Sequence, residues 1–165
     1  MKLLMENWRG YLKEIGDASA NAYPWRERDI SEDYAMYEFR TPENFYVVHL
    51  AVEMVGGEPW WDIAFRTISN KDGVGLTGES QPLKVMSTIV AIIKDFIDRE
   101  ESKISNRYKF HGLRKGGGAE PAGERSQRTK MYLAFLKRNM PTGTEIETIG
   151  QNEIRFTLPK RDAEL

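Results

Sequence analysis

At 165 residues, with 40% apolar and 30% charged, the chain is long enough for one domain with a real core and short for two. It has no cysteine, which excludes disulfides, thiolate zinc sites, iron–sulfur ligation and a cysteine nucleophile together. Its net charge of −1 conceals an asymmetry: residues 103–138 carry +8 and the remainder −9, enough to steer an acidic partner or a polyanion to one face. No apolar run reaches the roughly eighteen residues of a membrane helix. Glu6 and Asn7 break the opening run of Leu3, Leu4 and Met5 before it becomes a signal segment. A cytoplasmic protein with no membrane partner is expected.

Leu3, Leu4, Trp8, Tyr11, Leu12 and Ile15 recur at helical spacing and Gly16 follows them, so a first helix is predicted over 1–16. Asp17 to Arg28 is rich in turn residues and contains Pro24; it reads as a connector, with Tyr23 and Trp25 docking on the core. Ile30 to Arg40 reads as a helical turn capped by Ser31, then a strand from Met36 to Arg40. Phe45 to Val55 and Trp60 to Ile68 alternate as a hairpin around Gly56-Gly57-Glu58-Pro59. If that turn has four residues, Val55 faces Trp60, Glu53 faces Asp62, Ala51 faces Ala64 and His49 faces Arg66. Tyr46, Val48, Leu50, Val52 and Met54 then gather with Trp61, Ile63, Phe65 and Thr67 on the opposite, core side. Trp60 and Trp61 point to opposite faces, and the N-terminal helix is expected to cover the outward ring.

Asn70-Lys71-Asp72-Gly73 signals a turn into a strand at Val74 to Thr77. The strongest helix follows, opened by Pro82 and running to about Arg99, with Val85, Met86, Ile89, Val90, Ile92, Ile93, Phe96 and Ile97 as its apolar stripe. Ile104 to Leu113 reads as a strand with one basic face, residues 114–123 as a mobile glycine-rich loop, and Glu124 to Met140 as a second helix ended by Pro141. Two short strands are predicted between Thr144 and Leu158 around Gly150-Gln151-Asn152, with 159–165 a loose tail.

From Tyr37 to Leu158 the order is meander, helix, strand, helix and final hairpin. This resembles the GNAT family of acetyl-CoA-dependent N-acetyltransferases, and implies a single α+β domain: a mixed, mostly antiparallel sheet with helices on both faces. In that family the helix after the fourth strand opens on spaced glycines whose amides hold the cofactor pyrophosphate. The equivalent stretch here, Thr77-Gly78-Glu79-Ser80-Gln81-Pro82-Leu83-Lys84, has one glycine, a carboxylate and a proline that removes an amide. No cofactor is therefore expected. Acetyl-CoA enters only under the alternative reading of an acyltransferase with a remodelled site, in which the resemblance makes Tyr132 the general acid. The competing reading is Tyr132 as a core residue with its hydroxyl at the rim.

The stretch Met5-Glu6-Asn7-Trp8-Arg9, the helix Val85 to Ile97, and Ser126-Gln127-Arg128-Thr129-Lys130-Met131-Tyr132 also resemble a family of bacteriophage proteins, marine ones in particular. That resemblance carries no activity. It implies an accessory or virion-associated protein that binds a protein partner.

Two constellations remain. His49, Glu53, Asp62 and Arg66 share one hairpin face, where a carboxylate near the imidazole would raise its pKa and make a general base; half-exposed sheets also carry such residues with no chemistry attached. Neither histidine has metal-ligand spacing, so no metal is expected. Arg107, Lys109, Arg114, Lys115, Arg125, Arg128 and Lys130 form a basic strand, loop and helix suited to phosphate or nucleic acid, with Gly116 to Gly118 as amide donors. No element for reading DNA sequence accompanies them.

Overall fold

A computed structural model describes residues 22–68, 81–111, 127–150 and 153–159. The predicted helix at 1–16, the turn and strand over 70–77, the loop at 114–123 and the tail beyond residue 159 lie outside these. The elements in chain order are β1 (Trp25–Ile30), β2 (Tyr34–Arg40), β3 (Phe45–Val55), β4 (Glu58–Thr67), α1 (Pro82–Ile97), a short 3-10 helix (Glu100–Ile104), β5 (Arg107–His111), α2 (Gln127–Asn139), β6 (Glu145–Ile149) and β7 (Glu153–Thr157). The strands form one seven-stranded sheet in the order β1-β2-β3-β4-β5-β7-β6. Every pairing is antiparallel except β4 with β5. The class is α+β, as expected.

The predicted connector is in part a strand. In WRERDI only Trp25 and Ile30 are apolar, so the segment lacks the alternation that marks a half-buried strand. An edge strand needs no such alternation, and the charges and the bulge between Glu27 and Asp29 guard it against further pairing. No helical turn follows: Ser31 N–H donates to the Tyr34 carbonyl at 2.8 Å, closing a tight turn into β2.

The β3–β4 hairpin also differs from expectation. Gly56 and Gly57 have φ of 60° and 82°, and two successive positive-φ residues make the two-residue turn that matches strand twist. Val55 therefore pairs with Glu58, Glu53 with Trp60, Ala51 with Asp62, His49 with Ala64 and Val47 with Arg66. The pairing moves by two residues from the four-residue reading. Because side chains alternate with period two, every residue keeps its predicted face.

The core lies on the face of Tyr37, Phe39, Tyr46, Val48, Leu50, Trp61, Ile63, Phe65, Tyr108, Phe110, Ile154 and Phe156, all buried. Both described helices cover that same face: Phe96 of α1 meets Trp61 edge-on at 4.7 Å, and Tyr132 of α2 meets Phe110 at 4.7 Å. The two described helices share one face for a topological reason, and the predicted helix at 1–16, expected over the outward Trp60 ring, lies outside the described residues. β6 is antiparallel to β7, which is antiparallel to β5, so β6 runs parallel to β5. The crossovers β4–α1–β5 and β5–α2–β6 thus step the same way across the sheet, and right-handed crossovers stepping one way place their helices on one side.

Burial on α1 extends beyond its stripe, since every residue from Val85 to Ile93 is buried, Ser87 and Thr88 included. Thr88 is satisfied there: its hydroxyl donates to the Lys84 carbonyl at 2.7 Å and accepts the Tyr23 amide at 2.8 Å. The strand predicted from Ile104 begins instead at Arg107, because the 3-10 helix after α1 absorbs Ile104, which is exposed.

Candidate functional site

Polar side chains from all seven strands share the face opposite the helices, and alternation puts them there: Arg26 on β1, Tyr34 and Glu38 on β2, His49 and Glu53 on β3, Asp62 and Arg66 on β4, Arg107 and Lys109 on β5, Glu147 on β6 and Arg155 on β7. The hairpin cluster predicted from sequence is therefore on one face. Its partners differ from those expected.

Among the described residues His49 meets a hydroxyl and no carboxylate. Its Nδ1 lies 2.6 Å from the Tyr34 hydroxyl, and burial pushes the Tyr34 pKa up, so this hydroxyl keeps its proton and donates it. Nδ1 is then the acceptor and Nε2 carries the hydrogen. Burial, and after it the charge of Arg66, hold the His49 pKa below its ordinary value, the reverse of the carboxylate-raised base anticipated. The occupied lone pair leaves no basic nitrogen facing outward. Stability should respond accordingly. His49 takes a proton more readily unfolded than folded, so it favours folding above its unfolded pKa, and that advantage is lost as pH falls from about 6.5 through the lower folded value. The thermal midpoint of the wild type is expected to fall more between pH 8 and pH 5 than that of His49→Gln; equal falls would refute it.

Glu53 faces Trp60 and not Asp62. Lys109, whose register partner on β4 is Asp62, reaches across that strand to Glu53, with Nζ 2.5 Å from Oε2. Lys109, itself buried, thus pairs with Glu53 and neighbours Asp62 in register. Arg107 pairs with Glu58, and the Arg155 guanidinium with Glu153 at 2.5 Å. These two arginines flank the outward ring of Trp60, Arg155 at 5.1 Å and Arg107 at 5.8 Å from its centre. The N-terminal helix expected to cover this ring lies outside the described residues. Arg155 was missed from sequence because only the β4–β5–β7 order brings it beside Trp60.

The basic set is divided. Arg107 and Lys109 lie on the polar face, each paired with a glutamate, whereas α2, which carries Arg128 and the exposed Lys130, packs on the opposite face. Arg114, Lys115 and Arg125 lie outside the described residues. Among the described residues no group of three or more His, Asp or Glu is placed to hold a metal ion.

Tyr132 is fully buried. Its ring lies at 61° and 4.7 Å to Phe110 and at 5.8 Å to Phe65, and Phe65 stacks on Phe110 at 6.0 Å. The three rings occupy the place where the parallel pairing of β4 and β5, which runs over Trp61–Ile63 and Tyr108–Phe110, comes to its end. Two grooves among the described residues lie elsewhere. A groove of about 470 Å³ is lined by Pro24, Trp25, Arg26, Glu38, Phe39, Arg40 and Phe45. A second, of about 440 Å³, lies between the end of α2 and the start of β6.

No protein-family profile, curated protein or solved structure matches the chain.

Proposed function

We propose that this is a binding protein of the phage accessory or virion-associated kind, built on a GNAT-like scaffold and without acetyl transfer. The support for the scaffold is the strand order together with the helix joining the parallel strands β4 and β5. The support for lost transfer is one observation: Phe65, Phe110 and Tyr132 pack together at the end of the parallel pair, where the resemblance would put an acyl-CoA cleft. A general acid must reach the leaving thiolate, and a tyrosine with no exposed surface reaches only its neighbours in the core. Gly78 to Lys84 adds to this from sequence, lacking the spaced glycines of a pyrophosphate nest. The nucleic-acid reading draws less support, since the two described basic residues of β5 are each paired with a glutamate.

Calorimetric titration with acetyl-CoA is the test. No saturable heat is expected at millimolar cofactor; saturable binding that Tyr132→Phe leaves intact, with transfer abolished, would establish the acyltransferase reading instead.

A further inference from the structure

The two edges of the sheet are guarded differently. β1 carries four consecutive charged residues, Arg26 to Asp29, and a bulge, both of which discourage a further strand. β6 has no bulge, and its two charges, Glu145 and Glu147, are of one sign. Its five residues, EIETI, pair with β7 in unbroken register, without proline or a basic residue, and it has no other strand partner among the described residues.

Its outward charges are unbalanced. Glu145 and Glu147 are exposed on the polar face and form no ion pair among the described residues, and Arg155, the register partner of Glu147, is held by Glu153. On the other face Ile146 lines the groove of about 440 Å³ with Lys137, Met140, Pro141 and Thr144.

We propose that the β6 edge is a docking site for an extended segment of another protein in which basic and apolar residues alternate, added to the sheet as an eighth strand. Main-chain hydrogen bonds to β6 hold it, and the alternation sorts its side chains. Basic side chains fall beside Glu145 and Glu147; apolar ones fall over the half-buried Ile146 at the rim of the groove. Lys137 and Arg138, exposed on that second side, reject a segment that is basic on both faces. A second copy of β6 is a poor occupant, because antiparallel pairing about its centre sets Glu147 against Glu147. The inference is independent of the reading above: acetyl-CoA binding, present or absent, leaves this edge as it is.

The probe is a fluorescein-labelled, capped peptide of alternating lysine and valine, titrated with the full chain and read by anisotropy. Saturable binding is expected. Glu145→Lys with Glu147→Lys should weaken it at least about tenfold while admitting the glutamate–valine counterpart. Two peptides N-methylated at alternate amides, one on each edge, separate strand addition from simple charge attraction on the unaltered protein. The one methylated on the edge facing β6 should lose about tenfold or more, as two ordinary hydrogen bonds are removed, and the other should bind like the parent. The proposal is overturned by no saturable binding, by both methylated peptides binding like the parent, or by the double variant, with an unchanged thermal melt, binding the lysine peptide as before.

Discussion

Replacing Trp61 by alanine is expected to lower the unfolding free energy by about 3–5 kcal/mol, the range for removing a large buried aromatic side chain. The ring has no exposed surface, lies edge-on to Phe96 of α1, and donates its Nε1 hydrogen to the Ser102 carbonyl at 3.1 Å. It therefore joins β4 both to the helix and to the 3-10 turn that carries the chain from α1 into β5. Trp61→Phe should keep most of the apolar contact but leave the Ser102 carbonyl with the Ser105 amide alone as donor, for about 1 kcal/mol. Trp60→Ala is the internal control. Trp60 is only partly buried on the opposite face, where it rests between the guanidinium groups of Arg107 and Arg155, and its loss should cost less than that of Trp61. Urea unfolding of the three variants measures the order, and a larger loss at Trp60 would reverse the assignment of the sheet's two faces.

That contrast between adjacent tryptophans was legible in the sequence because face assignment depends only on parity. Val48, Leu50, Trp61, Ile63 and Phe65 fall together whether the hairpin turn has two residues or four. Which residues oppose each other depends on the turn. Gly56-Gly57-Glu58-Pro59 reads as one four-residue loop, whereas the two glycines alone take positive φ, and Glu58 and Pro59 continue as strand. Partners in the polar cluster moved as a result, and the carboxylate placed beside His49 gave way to the Tyr34 hydroxyl. β1 escaped notice for the opposite reason. Its edge position relieves it of the apolar pattern by which buried strands are recognised. Lys109 and Arg155 take their roles from strand order alone, for their partners Glu53 and Trp60 are distant in sequence and no local periodicity relates them.

Tyr132 is the residue at which fold and function can be tested by one pair of substitutions. As a core residue with no exposed surface, packed on Phe65 and Phe110, it should cost about 3–5 kcal/mol when replaced by alanine, because the lost ring leaves a cavity against them. Tyr132→Phe retains the ring and its contacts with Phe65 and Phe110 and removes only the hydroxyl, so a change within about 1 kcal/mol is expected. A large alanine effect with a small phenylalanine effect makes the ring a packing element at the end of the parallel strands. A ring lining an open cofactor cleft would behave otherwise, since water would enter as the side chain left and alanine would cost about 1 kcal/mol or less. That outcome would reopen the acyltransferase reading at the residue that carries it, even if wild-type protein gave no heat with acetyl-CoA. The expected outcome would place the aromatic filling among the chief contributors to stability, and restoring a cofactor cleft there would require giving that stability up.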